Sequence, residues 1–142
     1  MVTENETLYF VSPINVGAVH LPRATHIPKH ERRLNIIPLS NTPEGAIMVA
    51  YPNLGDNWTK RVFMLWEIEP KPRHAIVTPS LLKKMWEVEY AKELNLYACF
   101  RSLRMEKVGK ITIVNKPEDF EIITVEGGEE EITLGRLIPV KI

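Results

Sequence analysis

The 142-residue chain reads as a mainly β protein with one helix. It predicts a β-barrel or sandwich, a helix packed against it and a C-terminal hairpin. Three observations point there. Nine of the eleven prolines fall in residues 13–79, where a missing N–H and a fixed φ keep strands short and exclude helix interiors. Only the segment opening at Thr78 joins a capping residue, a proline at the first helical position and an apolar stripe of helical period. Gly127-Gly128 stands between two runs rich in β-branched residues, which is a hairpin signal.

Taken in order, Leu8–Val11, Gly17–Leu21, Arg33–Ile37, Ala46–Tyr51 and Arg61–Glu67 are the expected strands of the first half. Asn41–Gly45 and Asn53–Asn57 are turn clusters between them. In the fifth strand Val62, Met64 and Trp66 alternate with Phe63, Leu65 and Glu67, so it is expected at the centre of a sheet, covered on both faces. The helix runs from Thr78 to about Asn95, with Leu81, Leu82, Met85, Trp86 and Val88 on one side. Glu89 and Lys92 intrude on that apolar arc in its third turn. Leu96–Leu103 alternates as a strand. Ile111–Val114 is β-branched, Asn115–Asp119 is a turn, and Phe120–Glu126 with Glu129–Leu134 makes the hairpin. The glutamates at 129–131 place charge beside a sheet edge, a guard against edge-to-edge aggregation. By size the whole is a single domain, 1–142. It comprises a possible N-terminal arm at 1–13, a β-rich core at 14–77, the helix at 78–95 and a C-terminal β region at 96–142.

Net charge is zero but unevenly spread. Residues 1–110 hold 15 Lys/Arg against 11 Asp/Glu, and residues 111–142 hold 3 against 7, a separation that suits contacts between opposite patches. The sequence has no run long and apolar enough for a membrane helix, and its opening, MVTENETLYF, does not resemble a secretory leader. One cysteine, Cys99, excludes an internal disulfide and reads as a small core residue. There is no glutamine, and Glu outnumbers Asp 16 to 2. With the many prolines, this is the composition expected of a protein kept folded at high temperature.

No catalytic set assembles from the sequence. The serines lie outside any nucleophile context, and Gly127-Gly128 is followed by three glutamates that would repel phosphate. His20, His26 and His30 have the spacing H-x5-H-x3-H, but Pro28 interrupts the helix that a metal pair would need. The histidines, His74 included, are therefore read as exposed or turn residues; a His26/His30/Glu31 metal protein or enzyme remains an alternative. No cofactor is expected. Arg23, Lys29, Arg32 and Arg33 form a basic patch, yet no aromatic residue falls between Gly17 and Ala50 to stack on bases. A small nucleic-acid-binding β-barrel is accordingly a lesser alternative. Trp66 and Trp86 are expected in the core. Trp58, in a turn, either covers an end of the fold or anchors a partner.

Asn15-Val-Gly, His20-Leu-Pro22, His26-Ile-Pro28 and Arg33-Leu-Asn-Ile-Ile-Pro-Leu39 carry a resemblance. Short strands alternate there with proline turns and cations, as in small structural proteins of tailed bacteriophages. The chain resembles a capsid decoration (head-stabilising) protein of a phage infecting a thermophile. The resemblance implies a β-tulip-like subunit, a homotrimer, and a non-enzymatic virion role on the capsid surface after assembly in the host cytoplasm. Its partner would be the major capsid protein, with no membrane. Leu8, Tyr9, Phe10 and Trp58 are the expected apolar anchors, with Leu8–Val11 as a strand added to a neighbour's sheet. Arg23, Arg32 and Arg33 are the expected inter-subunit ion-pair residues. A phage tail, neck or adaptor protein is the nearest alternative.

Overall fold

The computed structural model describes residues 6–13, 16–27, 33–50, 61–113, 122–126 and 132–133. Along the chain run β1 (Leu8–Pro13), β2 (Val19–His20), β3 (Arg23–His26), β4 (Arg33–Leu39), α1 (Pro43–Ala50) and β5 (Arg61–Ile68). There follow α2 (Pro79–Trp86), β6 (Tyr97–Cys99), β7 (Leu103–Arg104), β8 (Glu106–Ile113), β9 (Ile122–Glu126) and β10 (Ile132–Thr133). The strands form a five-stranded sheet in the order β1-β5-β8-β9-β10, a three-stranded sheet β3-β4-β6 and a two-stranded sheet β2-β7, all antiparallel. The sheets stack as a sandwich and do not close into a barrel.

Side-chain alternation in β4 and β6 sets the layers. Ile37, Leu39, Tyr97 and Cys99 pack with Leu8, Met64, Trp66 and Ile68 of the large sheet. Their neighbours Ile36, Leu96 and Ala98 face the other way, onto Leu82 of α2, Val88 and Ala91. The middle sheet is thus apolar on both faces, and a second layer is needed to cover each. β5 is an interior strand of the large sheet, second in the order rather than central, and its middle is covered on both faces as its sequence predicts: Phe63, Met64, Leu65 and Trp66 are all buried, while Val62 near its start is exposed. Cys99 is fully buried, and its thiol donates to the carbonyls of His74 and Arg101. Burial pushes that thiol's pKa up.

Four expectations are corrected. Ala46–Tyr51, expected as a strand, falls largely in the helix α1. Its start signal is Thr42-Pro43-Glu44: the Thr42 hydroxyl accepts from Gly45 N at 3.0 Å, Pro43 opens the helix and Glu44 meets its positive end. The chain therefore has two α-helices among the described residues, not one. The second, α2, begins as expected at the Thr78 cap but ends at Trp86, where Glu87 turns left-handed (φ 57). A continuous helix would have carried Glu89 and Lys92 toward the core. Breaking it leaves both exposed while Val88 and Ala91 stay buried. The β9–β10 hairpin is present, but Val125 pairs with Ile132, whereas a two-residue Gly-Gly turn would set it opposite Glu130. Finally, Leu8–Val11 is no free arm: β1 is paired along its length with β5 of its own chain, from Leu8↔Ile68 to Pro13↔Phe63.

Gly45, in the first turn of α1, lies close against the segment that leads into the helix. A Cβ there would collide with the Ser40 hydroxyl and lie 2.8 Å from Thr42 Oγ1. Helix propensity alone would favour alanine by about 1 kcal/mol, but overpacking of this kind costs about 1–3 kcal/mol. Gly45→Ala is therefore expected to lower stability in urea unfolding, and to lower it less in a Ser40→Ala background, where the nearest atom is gone.

Candidate functional site

The surface around β2 inverts the usual strand pattern. Val19 and Leu21 are 50% and 60% exposed, while His20 between them is only 7% exposed. The register with β7, Val19↔Arg104 and His20↔Leu103, fixes this facing, and Met105 N donates to Ala18 O at 2.8 Å beside it. A one-residue slip would bury the apolar pair and expose the imidazole. Aromatic packing holds the observed register: the His20 ring lies edge-to-face with Phe10 at 5.0 Å and with Trp66 at 4.7 Å. Trp66 Nε1 in turn donates to Ser12 Oγ at 2.7 Å, and Ser12 donates to Pro13 O. His20 Nε2 is buried and has no hydrogen-bond partner.

Beside this aromatic set lies a cleft of about 340 Å³. Its walls are Phe10–Pro13 of β1, Val19 to Leu21, Arg23–Thr25 of β3 and Ile36–Pro38 of β4. Its origin is legible in the ladder geometry. Tyr9 and Ser40 exchange backbone hydrogen bonds of 2.8 and 3.1 Å, tying β1 to the end of β4. Ala98 directs its N–H and C=O to Val77, so its partner Pro38 occupies a position that does not bond to β6 and turns its backbone toward β1 instead. The next rung of a β1–β4 ladder would pair Val11 with Pro38, and proline has no N–H to donate. The strands part there, and the gap is the cleft. Arg23 stands at its lip, and no carboxylate is among the described residues that line it.

A second, polar groove of about 480 Å³ is lined by Glu67, Glu69 and Glu106 together with Lys71, Arg73, His74 and Arg104. The His74 side chain closes a turn, accepting from Lys71 N at 2.9 Å through Nδ1, so it is half-buried rather than a free loop residue.

Among the residues expected to bind partners, Arg23 and Arg33 are exposed, and Tyr9 and Phe10 are half-buried, Phe10 against His20. Leu8 is wholly buried in the core beneath β4, which removes it from the surface. The register Arg23↔Ile36 and His26↔Arg33 puts the two arginines on opposite faces of the β3–β4 ribbon, so they do not form one patch. Arg32 and Trp58 lie outside the described residues, as do His30 and Glu31 of the metal alternative. Among the described residues no three His, Cys, Asp or Glu side chains gather. The expectation of exposed histidines is corrected for His20, which is a core residue. Val19, Leu21 and Ser12 were not singled out by the sequence; the alternation around His20 is compatible with either facing, and only tertiary packing chooses. Trp86, expected in the core, is half-buried and stacks on Phe100 at 5.0 Å.

The chain matches no protein-family model, no curated protein and no solved structure.

Two outcomes follow from this geometry. Ser12→Ala leaves the buried Trp66 N–H without its acceptor, which is expected to cost about 1–3 kcal/mol in denaturant unfolding. Burial also holds the His20 pKa below its ordinary 6.5, because charging the ring away from water is unfavourable. His74 moves the same way, through burial first and then the charges of Arg73 and Lys71. The unfolded chain therefore binds protons first as pH falls. The stability from these groups is complete above about 6.5 and declines below it, toward their lowered folded-state values. Thermal unfolding at about pH 7.5 and about pH 5 should show this loss, and His20→Phe, which keeps a ring in place, should reduce it.

Proposed function

We propose that this protein is a non-enzymatic structural protein that binds neighbouring protein subunits through its outer β surface. In the specific form implied by the resemblance of Asn15–Leu39, it is a homotrimer on the outside of a phage capsid, stabilising junctions between major capsid proteins. The observation that carries the reading is the inverted β2 strand. A fold that turns Val19 and Leu21 to solvent and a histidine inward leaves apolar area on the outside, and such area marks contact surfaces when it adjoins a built concavity. The stretch that carries the resemblance supplies β2, β3 and β4, and with them the exposed apolar pair, Arg23 at the cleft lip and Arg33 on the opposite face of the ribbon. Many modest contacts of this kind across symmetric junctions would act together, so that rupture requires breaking them in concert.

Mixing the purified protein with undecorated capsids tests this. Co-sedimentation with the shells and a rise in their rupture temperature are expected. Leu21→Glu, a change at an exposed position, is expected to weaken binding by about tenfold or more. Absence of binding, or binding that leaves heat resistance unchanged, rejects the reading. Mass measurement in solution should give a trimer; a six- or twelve-fold ring would instead favour a neck or tail component.

A further inference from the structure

The cleft between β1 and β4 is more specific than a general contact surface. We infer that it receives one bulky apolar side chain from an extended, acid-flanked segment of the partner protein, with that segment's backbone laid along the outer edge of β3. The inference rests on the protein-binding reading above and names what binds and where.

Three observations converge. First, β3 ends its sheet, with β4 on one side only among the described residues. Arg23 opposite Ile36 bonds toward β4, by the same alternation that turns Ser40 and Pro38 toward β1. The backbone of Ala24 is therefore directed to the outer edge, and the Ala24 side chain is exposed and lines the cleft. An extended chain can add there as a strand while its alternate side chains enter the adjoining concavity. Second, the cleft is small and mostly apolar. At about 340 Å³ it is at the lower end of the roughly 300–1,000 Å³ range of ligand clefts, and its walls are mostly aliphatic with Phe10 at one side. His20, more than nine-tenths buried, also lines it with an unpartnered Nε2. Third, the lip is cationic: Arg23 lines the cleft and no described carboxylate does. Charge complementarity therefore selects an acidic flank on the incoming segment.

A capped peptide of sequence TEVFVET is the probe, followed by amide NMR of the full chain. Saturable shifts confined to the amides of residues 10–12, 19–21, 23–26, 36, 37 and 39 are expected. Replacing the central Phe by Ser, or both Glu by Lys, should weaken binding by about tenfold, and the Glu contribution should fade with added salt. Ala24→Trp fills the cleft from an exposed position and should abolish the shifts; its own spectrum reports whether it folds. Arg23→Glu, which leaves the cavity open, should reproduce the effect of the Lys-substituted peptide. No shifts, shifts elsewhere, equal binding by Ala24→Trp, or a free aromatic alcohol binding as tightly as the peptide would each overturn the inference. Failure is separable from failure of the capsid reading. Capsid binding that survives Ala24→Trp rejects the cleft and keeps the function. Peptide binding without capsid binding rejects the function and keeps the cleft.

Discussion

The architecture follows from the two-faced apolar character of β4 and β6. A strand that is polar on one side can rest on a single layer and meet water with the other. Ile36-Ile37 and Leu96–Cys99 cannot, because consecutive residues point to opposite faces and all are apolar. One face takes the five-stranded sheet. The other takes α2 and the buried turn segment after it, with Val49 of α1. The β sandwich that results is therefore a three-layer object in which the three-stranded sheet lies in the middle. The helix terminus at Glu87 is part of the same solution. It lets the chain fold back so that Val88 and Ala91 cover Leu96 and Ala98 without dragging Glu89 and Lys92 inside.

The cleft is a by-product of how that middle sheet meets the outer one. Tyr9 and Ser40 join them by a single rung, and a continuous ladder beyond it would have merged β1 and β4 into one sheet. Pro38 prevents this at no cost to β6, because position 38 makes no hydrogen bond on that side. The two sheets then diverge. Ser12, Trp66, His20 and Phe10 fill the wedge at its inner end, and the outer end stays open. One residue thus separates a closed seam from a concavity, and the polar atoms in the wedge are arranged around a hydrogen bond between Ser12 and Trp66 that joins β1 to β5.

Much of this was legible in the sequence, and the exceptions have physical causes. The Thr78-Pro79 start of α2 was clear because an amphipathic stripe follows it. Thr42-Pro43-Glu44 has the same chemistry but precedes Gly45–Ala50, which is apolar on all sides and so carries no helical period; buried all round, it looked like a strand. The double-sided burial of β5 was visible because both of its alternating sets are apolar. The facing of β2 was not, since Val19, His20 and Leu21 fit either orientation, and the choice belongs to Phe10 and Trp66, which are remote in sequence. The partner-binding residues divide likewise. Arg23 was found from local charge, whereas Leu8 was misplaced because an apolar N-terminal run looks the same whether it pairs with its own chain or a neighbour's.

Cys99 has a consequence for how copies of this molecule can hold together. Its sulfur is sealed in the middle sheet between two carbonyl acceptors, and burial disfavours the thiolate that oxidation or exchange requires. A covalent tether between protomers through this atom would require the sandwich to open first. The same sulfur becomes an internal tell-tale, silent to alkylating reagents until the layers separate.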